Sequence, residues 1–545
     1  MFYLCGKKEN NMKVRPAYKR ILFSAFCLMA LCVQAYEKVH FTENGLVYSS
    51  VLPAACGHYL GRHDSTDVII CGYESPERFA PEQPLQIAYS VIHDGKTYNV
   101  VGIGKEAFAG LHTVEKIIVE EGIEELNSYA FALMPNLKSV RLPSTLNSLG
   151  RYMFYESNNL TEILMNPGGS WISPDGSNAI TGCEGDSRIL FIAGCSTSKI
   201  PTFIEEIDEN AFCGCQSLER IVIPEGVIKI GDGAFSGCTN LKEVILPESL
   251  EEIYSGAFSD CISLKSIFIP KNVSRLYGDM FEGCHQLSSI VVDKDNPTYD
   301  SRSHCNGIVR KSDSTLVAAC KATVITKDIK RLDIDCFSDI NIHSLRIPKT
   351  LEEFSAWAFA GCKEIDEISV DPKNPNYMSP EGSNIILTKD GKTLLMGCRT
   401  SEIPEGIEKI GAAAFYGRYP NRLLRLPEGV KEIGRRAFAY CNEINNVVIP
   451  SSLTSLDEAV FEECHNLYTV QILAPLKKTE YATFRNCKNL VSINIPEGMK
   501  VIGYHTFDGC SNLKNVHLPS TIEEIEIDAF RDCPYSQMQS GVASK

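Results

Sequence analysis

Apolar positions recur along most of this chain in one fixed order. Between Ile223 and Pro270 the sequence reads IPEGVIKIGDGAFSGCTNLKEVILPESLEEIYSGAFSDCISLKSIFIP, two copies of L-x-x-V/I-x-L/I-P-x-x-V/L-x-x-I-x-x-x-A-F-x-x-C offset by 23 residues. Phe235 corresponds to Phe258, Cys238 to Cys261, Leu241 to Leu264 and Pro247 to Pro270. A period of this length means a solenoid: one copy cannot bury its apolar face alone, so stacked copies share a continuous core. Within residues 241–246, Val244 and Leu246 alternate inward as in a strand and Leu241 fills the approach. Pro247 ends the strand, where its missing N–H is tolerated. Leu250 and Ile253 bring the chain back across the core, and Gly256-Ala257-Phe258 makes the far corner. Each buried apolar side chain contributes roughly 1.5–3 kcal/mol, but only once neighbouring coils stack.

The corner Phe recurs at 108, 131, 154, 212, 235, 258, 281, 337, 359, 415, 438, 461, 484, 507 and 530. Three intervals are long: 154 to 212, 281 to 337 and 359 to 415. VDKDNPTYDS (292–301) resembles VDPKNPNYMS (370–379), and MNPGGSWIS (165–173) stands in the first gap. Two apolar runs follow each, clearest in IILTKDGKTLLMGC (385–398), where Asp390-Gly391 makes a tight turn. The pattern predicts three β-hairpins inserted near 165–197, 292–321 and 370–399, and about eighteen coils in all. At ~4.8 Å per coil this is a rod about 80 Å long. Residues 36–98 carry no clear copy, but have strand-like runs at 67–71 and 85–92 and an Asp94-Gly95 turn inside VIHDGKTYNV. They read as an N-terminal β-rich cap on a solenoid running over 99–534, with a short polar tail at 535–545.

The full motif, L-x-x-V-x-L followed by P-x-x-V-x-x-I-G-x-x-A-F-x-G-C, resembles the BspA-like class of leucine-rich repeats, in which Cys commonly follows the A-F pair. The resemblance covers about 99–534, and DGKTYNVVGIGKEAF (94–108) is similar to that family's lead-in. It implies an exported or surface-displayed bacterial protein used in adhesion to host matrix proteins or other cells. The tail SQMQSGVASK after Cys533 reads as short and polar, with no sorting module or anchor of the kind such a role is expected to use.

The N-terminus supports export. Lys13, Arg15, Lys19 and Arg20 precede an apolar run from Ile21 to Val33, and Val33-Gln34-Ala35 offers a small-residue cleavage site. Residues 1–35 therefore read as a signal peptide whose apolar run is short for a membrane span, leaving a mature chain with no membrane-spanning segment. Cys27 and Cys32 follow Phe26 and Leu31, where a lipoprotein signal wants a small residue. The whole chain has 545 residues and net charge −15. Without the first 35 residues the balance is 47 basic to 67 acidic, or −20. That argues against nucleic acid, which requires a basic footprint.

Candidate chemistry dissolves into the repeat. Ten cysteines (215, 238, 261, 284, 362, 441, 464, 487, 510 and 533) sit three residues after a corner Phe. Zinc sites want C-x-x-C pairs with convergent partners; none exists here, and Cys213-x-Cys215 is the one C-x-C. A residue recurring once per coil reads instead as a small buried hydrophobe, as do Cys195, Cys320 and Cys398 at the hairpin ends. In an oxidising compartment Cys56 could pair with Cys71, Cys183 with Cys195 and Cys305 with Cys320. Gly102-x-Gly104-x-x-Ala107 matches a dinucleotide fingerprint on paper, but it is the repeat's own I-G-x-x-A-F. Glu225, Glu248, Glu405, Glu428 and Glu497 follow Pro at the turn, where a solvated residue is needed, and do not form the unlike pair that acid–base chemistry uses. His343 and His517 fall at outward strand positions, and no nucleophile, P-loop or zinc motif is present. The chain therefore reads as a non-enzyme without cofactor or metal.

One signal remains, the outward column of the strand sheet: Arg141, Leu164, Val222, Ile245, Phe268, Val291, Arg346, Ser369, Arg425, Val448, Gln471, Asn494 and His517. Four consecutive coils present Val222, Ile245, Phe268 and Val291. A contiguous exposed apolar row marks an interface, although Val and Ile also suit any strand. Val222, Ile245, Phe268 and Val291, with Arg141, Arg346 and Arg425, are the candidate contacts for a protein ligand on the concave strand face. A self-assembling surface-layer component is the alternative, followed by a β-solenoid enzyme acting on polysaccharide.

Overall fold

The computed structural model describes residues 39–50, 66–81, 83–183, 188–419 and 421–534. They form a β-solenoid of about 18 turns. In each turn the L-x-x-V-x-L motif supplies a first layer of three- or four-residue strands. Ser139–Leu142 pairs in parallel with Glu162–Met165, setting Val140 opposite Ile163 and Arg141 opposite Leu164. Partners are one repeat apart, so like residues stack on like, and the period-two alternation buries Val140 and Leu142 while exposing Arg141. The spacing predicts only that the chain then crosses the core. In the structure that crossing is a second parallel layer, built from two-residue strands such as Glu206–Ile207, Lys229–Ile230, Glu252–Ile253 and Arg275–Leu276.

The A-F corner closes the turn with its own hydrogen bonds. The Phe212 N–H donates to the Ala234 carbonyl at 2.7 Å, and Phe235 N–H to Ala257 at 2.8 Å. The buried rings stack from coil to coil: Phe212 on Phe235 at 5.1 Å, Phe235 on Phe258 at 5.4 Å, an offset aromatic column. Two glycines of the motif have different reasons. Gly237, in A-F-x-G-C, has φ +73°, a left-handed conformation that costs other residues roughly 1–2 kcal/mol. Gly231, in I-G, lies so close to the preceding coil that a Cβ would stand 2.8 Å from the Glu209 amide nitrogen.

The cysteines are buried, yet they are more than the small hydrophobes their spacing suggests. In nine of the ten that follow a corner Phe, the thiol donates to the carbonyl of the corner Phe one coil back: Cys238 to Phe212 at 3.2 Å, Cys261 to Phe235 at 3.2 Å, Cys464 to Phe438 at 3.1 Å and so on to Cys533. Ser157 holds the same place after Phe154 and donates to Phe131 at 2.7 Å. Cys195, Cys320 and Cys398 likewise donate to the carbonyls of Asn178, Asn306 and Asn384. Cys183, Cys195, Cys305 and Cys320 are free thiols, so neither hairpin pair is bridged. Cys183 is exposed at a strand end, while Cys195 is buried and turned to its carbonyl.

Antiparallel pairs occupy the three long intervals: Ala179–Cys183 with Ile189–Gly194, Ile308–Arg310 with Thr315–Ala318, and Ile385–Thr388 with Thr393–Gly397. The second strand of each pairs in parallel with the next short strand, as Phe191 opposite Ile207 and Leu394 opposite Ile410. They are widened turns of the second layer. The shared N-P-x-Y has a physical cause. Asn296 is fully buried; its amide nitrogen donates to Pro270 and Val273 carbonyls at 2.9 Å, and its oxygen accepts from Thr298 and Tyr299 N–H groups. Asn374 repeats all four bonds with Pro348, Leu351, Asn376 and Tyr377.

At the N-terminal end, His40–Glu43, Leu46–Ser50 and Asp67–Tyr73 pair antiparallel in order, and Asp67–Tyr73 pairs in parallel with Lys96–Ile103. The Ser90–His93 and Lys96–Ile103 hairpin turns through Asp94 and Gly95, both at positive φ as a two-residue primed turn requires. Lys96–Ile103 then pairs with Glu125–Leu126, carrying these strands into the second layer. The first layer starts earlier than the motif does. Leu85–Ile87 pairs in parallel with Lys116–Val119, inside the stretch that reads as cap. The signal segment, Cys56 and the tail from 535 lie outside the described residues.

Candidate protein-binding face

The first-layer strands turn one residue outward at each step. Val222, Ile245, Phe268 and Val291 are 45%, 40%, 46% and 47% exposed, although the residues beside them in the same strands are buried. Val222 is the parallel partner of Ile245, and Phe268 of Val291. The two pairs lie in separate two-stranded sheets that follow one another in consecutive coils, so the four side chains recur at the same outward position of four successive repeats. Their flanks are polar: the Arg220 Nε bonds the Glu243 carboxylate at 2.6 Å, and Lys242 reaches Glu219 at 3.0 Å. Both pairs lie more than half exposed, where they fix orientation more than they stabilise. An apolar row with a charged rim can desolvate in the middle and hold register at the edge.

The three arginines do not join it. Arg141, Arg346 and Arg425 are exposed, but they belong to three different sheets, opposite Leu164, Ser369 and Val448. They form no common basic patch. The chain has other exposed features that its pattern did not single out. Leu423 is exposed two residues before Arg425, and Tyr468 is 53% exposed further along. Ile118, in the column before Arg141, is half-buried. The outward column begins there, because Lys116–Val119 carries the same alternation.

Gly102 and Ile103 end a strand that is followed by turns, not by the helix a dinucleotide site requires. Among the described residues no group of three His, Cys, Asp or Glu is placed to hold a metal ion, and no helix is long and apolar enough to cross a membrane. Burial holds the thiols of Cys238, Cys261 and Cys464 well above the usual thiol range; Cys362 is pushed to about 12 and Cys441 to about 11. Such thiols are poor nucleophiles and poor ligands. The glutamates after Pro have structural work. Glu225 accepts the backbone N–H groups of Glu248 and Ser249 at 3.0 and 3.1 Å, and these bonds hold its carboxyl below the usual range. Glu121 does the same for Ser144.

The model of the BspA type leucine-rich repeat region matches in six copies, over residues 96–185, 192–307, 318–380 and 396–499. These stretches cover more than half of the chain. The chain belongs to the BspA-type leucine-rich repeat family. No curated relative matches the sequence significantly. Among solved structures, a leucine rich cell surface protein from Faecalibacterium prausnitzii is 18% identical, with 92% of this chain and 94% of that one covered at a TM-score of 0.35. The pneumococcal vaccine antigen PcpA is 17% identical over 89% and 98% of the two chains, TM-score 0.35. A leucine-rich repeat protein from Bacteroides ovatus is 19% identical over 92% and 93%, TM-score 0.25. Five turns of this BspA-type solenoid place a residue other than Cys after the corner Phe: Leu111, Met134, Ser157, Ile340 and, alone among them in carrying a charge, Arg418. Arg418 stands three residues after Phe415, where ten turns place Cys, and is fully enclosed. Its guanidinium donates to the carbonyls of Phe359 and of Ala413, so it serves the preceding corner Phe as the thiols do, across the third insertion. Burial lowers its pKa.

Proposed function

We propose that this protein is exported to the bacterial surface and adheres to proteins of a host matrix or of another cell through its strand-bearing face. The observation that carries the reading is the row Val222, Ile245, Phe268 and Val291, four half-exposed apolar side chains in four consecutive coils. Membership of the BspA-type family supports it, as does the description of the Faecalibacterium neighbour as a cell surface protein. The mechanism is complementarity spread over several coils. Phe268 is the natural anchor, because an aromatic side chain seated in a partner's pocket dominates such contacts, and Arg220–Glu243 fixes orientation at the rim.

A binding screen of the purified protein against immobilised extracellular-matrix proteins and intact bacterial and host cells tests this. Specific, saturable binding to a protein surface is expected. Binding to nothing, with the protein associating only with itself in sizing experiments, would replace adhesion by a structural role.

A further inference from the structure

The strand face changes character along the solenoid. Over Arg220–Val222 to Ser289–Val292 the outward positions are apolar with charged neighbours. In the last coils they become mainly amides and hydroxyls: Asn446 beside Val448, then Thr469 and Gln471, Ser492 and Asn494, and Asn515 beside His517. Beside them runs a groove of about 560 Å³ across five coils, whose lining includes Arg422, Asn445, Asn466, Tyr468, Asn489 and Asn512. No carboxylate lines it, in a chain with 68 acidic residues. The positions equivalent to Asn445 and Tyr468 in earlier coils are Glu219 and Lys242, which pair with each other. Here Asn445, Tyr468 and Val491 hold that position, and Arg422 is the one charge that remains in the groove.

We infer that this groove binds an extended neutral glycan. Three observations point to that chemistry. First, the amides are prearranged: Asn466 donates to the Asn442 carbonyl at 2.7 Å, Asn489 to the Asn466 side-chain oxygen at 3.3 Å, and Asn512 to that of Asn489 at 3.4 Å. An amide in such a row keeps a second N–H and a second lone pair. That is the paired donor and acceptor that adjacent sugar hydroxyls require. Second, the ring of Tyr468 is 53% exposed in the groove, an apolar plate with a polar tip against which the C–H face of a sugar ring can lie. Third, the amides recur at the coil spacing of about 4.8 Å, close to what one sugar ring adds to an extended chain, whereas an extended peptide advances about 3.3 Å per residue and falls out of step. Arg422 is the one charged group in the lining, too little for a polyanion, which needs several.

Electrophoresis of the whole protein through native gels containing glucomannan, xylan or hydroxyethylcellulose tests the inference, with polygalacturonate gels and a casein competitor as the other arms. Retardation by at least one neutral polysaccharide is expected. Tyr468→Ala and Asn489→Ala should each weaken it about tenfold, the loss of one good contact, and Asn466→Asp should weaken it without truncating a side chain. Phe268→Asp should migrate as the parent does, separating this groove from the apolar row. Thermal unfolding by circular dichroism, expected unchanged, confirms that the variants fold. Migration unaltered by all three neutral polymers, retardation by polygalacturonate alone, displacement by casein, or parental retardation of all three groove variants would each overturn the proposal.

Discussion

Replacing Cys261 by Ser and by Ala separates two explanations of the cysteine column. The side chain is fully buried and its thiol donates to the Phe235 carbonyl at 3.2 Å. That carbonyl also accepts the Cys238 N–H at 3.2 Å, so the thiol is its second donor, and losing it costs about 0.5–1 kcal/mol rather than the full cost of an orphaned group. Ala also forfeits the sulfur's burial, about 1 kcal/mol with the small void left behind. Cys261→Ala should therefore destabilise by ~1.5–2 kcal/mol. Cys261→Ser loses apolar contact but keeps a donor, in the arrangement that Ser157 already adopts toward Phe131, and should cost ~1 kcal/mol. If the cysteines only filled space, the order would reverse, because a buried hydroxyl is worse than a methyl group. Guanidinium unfolding followed by circular dichroism gives the order. Hydrogen exchange over residues 250–284 localises it, since solenoid turns open semi-independently. Ser equal to or worse than Ala would refute the donor argument.

Three further outcomes are expected. Asn296→Asp removes two amide donors and faces the Pro270 and Val273 carbonyls with a carboxylate; it should destabilise by about 3 kcal/mol or more, read as a lowered unfolding midpoint, and an unchanged midpoint would contradict the role given to N-P-x-Y. Maleimide should label exposed Cys183 in the native protein while the buried, high-pKa thiols of Cys238, Cys261 and Cys464 react only after unfolding, as peptide mapping can show; native labelling of Cys261 would count against its burial. The carboxyl of Glu408, bonded by Lys392 at 2.7 Å and Lys431 at 2.8 Å, is held down to about 2. Its contribution is present above the unfolded value of about 4.3 and is lost as pH falls toward 2, so Glu408→Gln should flatten the acid limb of the thermal midpoint against pH, slightly because the group is exposed; superimposable curves would exclude it.

The solenoid could be read from residues whose reason is local and repeated. Phe235 and Phe258 must fill a corner, Gly237 must turn left-handed, and Val244 must point inward. The strands of the long intervals announced themselves through Asp390-Gly391 and its flanking apolar runs. What escaped depends on contacts between coils rather than within one. The thiol bonds need the neighbouring coil's carbonyl, and composition alone makes Cys a small hydrophobe. Phe191 stacks on Phe212 at 4.9 Å, but it lies 21 residues before it in a hairpin, off the corner motif. Arg418 looks like a surface cation until its carbonyl partners are seen. Leu85–Ile87 is a three-residue strand without a following A-F corner, so its place in the first layer shows only through Lys116–Val119. The candidate face was legible as a column of residue types. Its division into an apolar stretch and an amide groove required the side-chain neighbours.

Two charged variants in one coil test the adhesive row most directly. Phe268 is 46% exposed on the first layer, and Tyr277 is 41% exposed at the end of the second. Affinity for a matrix or cell-surface protein captured in the screen should fall at least about 30-fold in Phe268→Asp, the loss of a 2 kcal/mol anchor, and stay within about twofold in Tyr277→Asp. Parental affinity in Phe268→Asp, or a loss confined to Tyr277→Asp, would contradict the assignment of adhesion to the strand face.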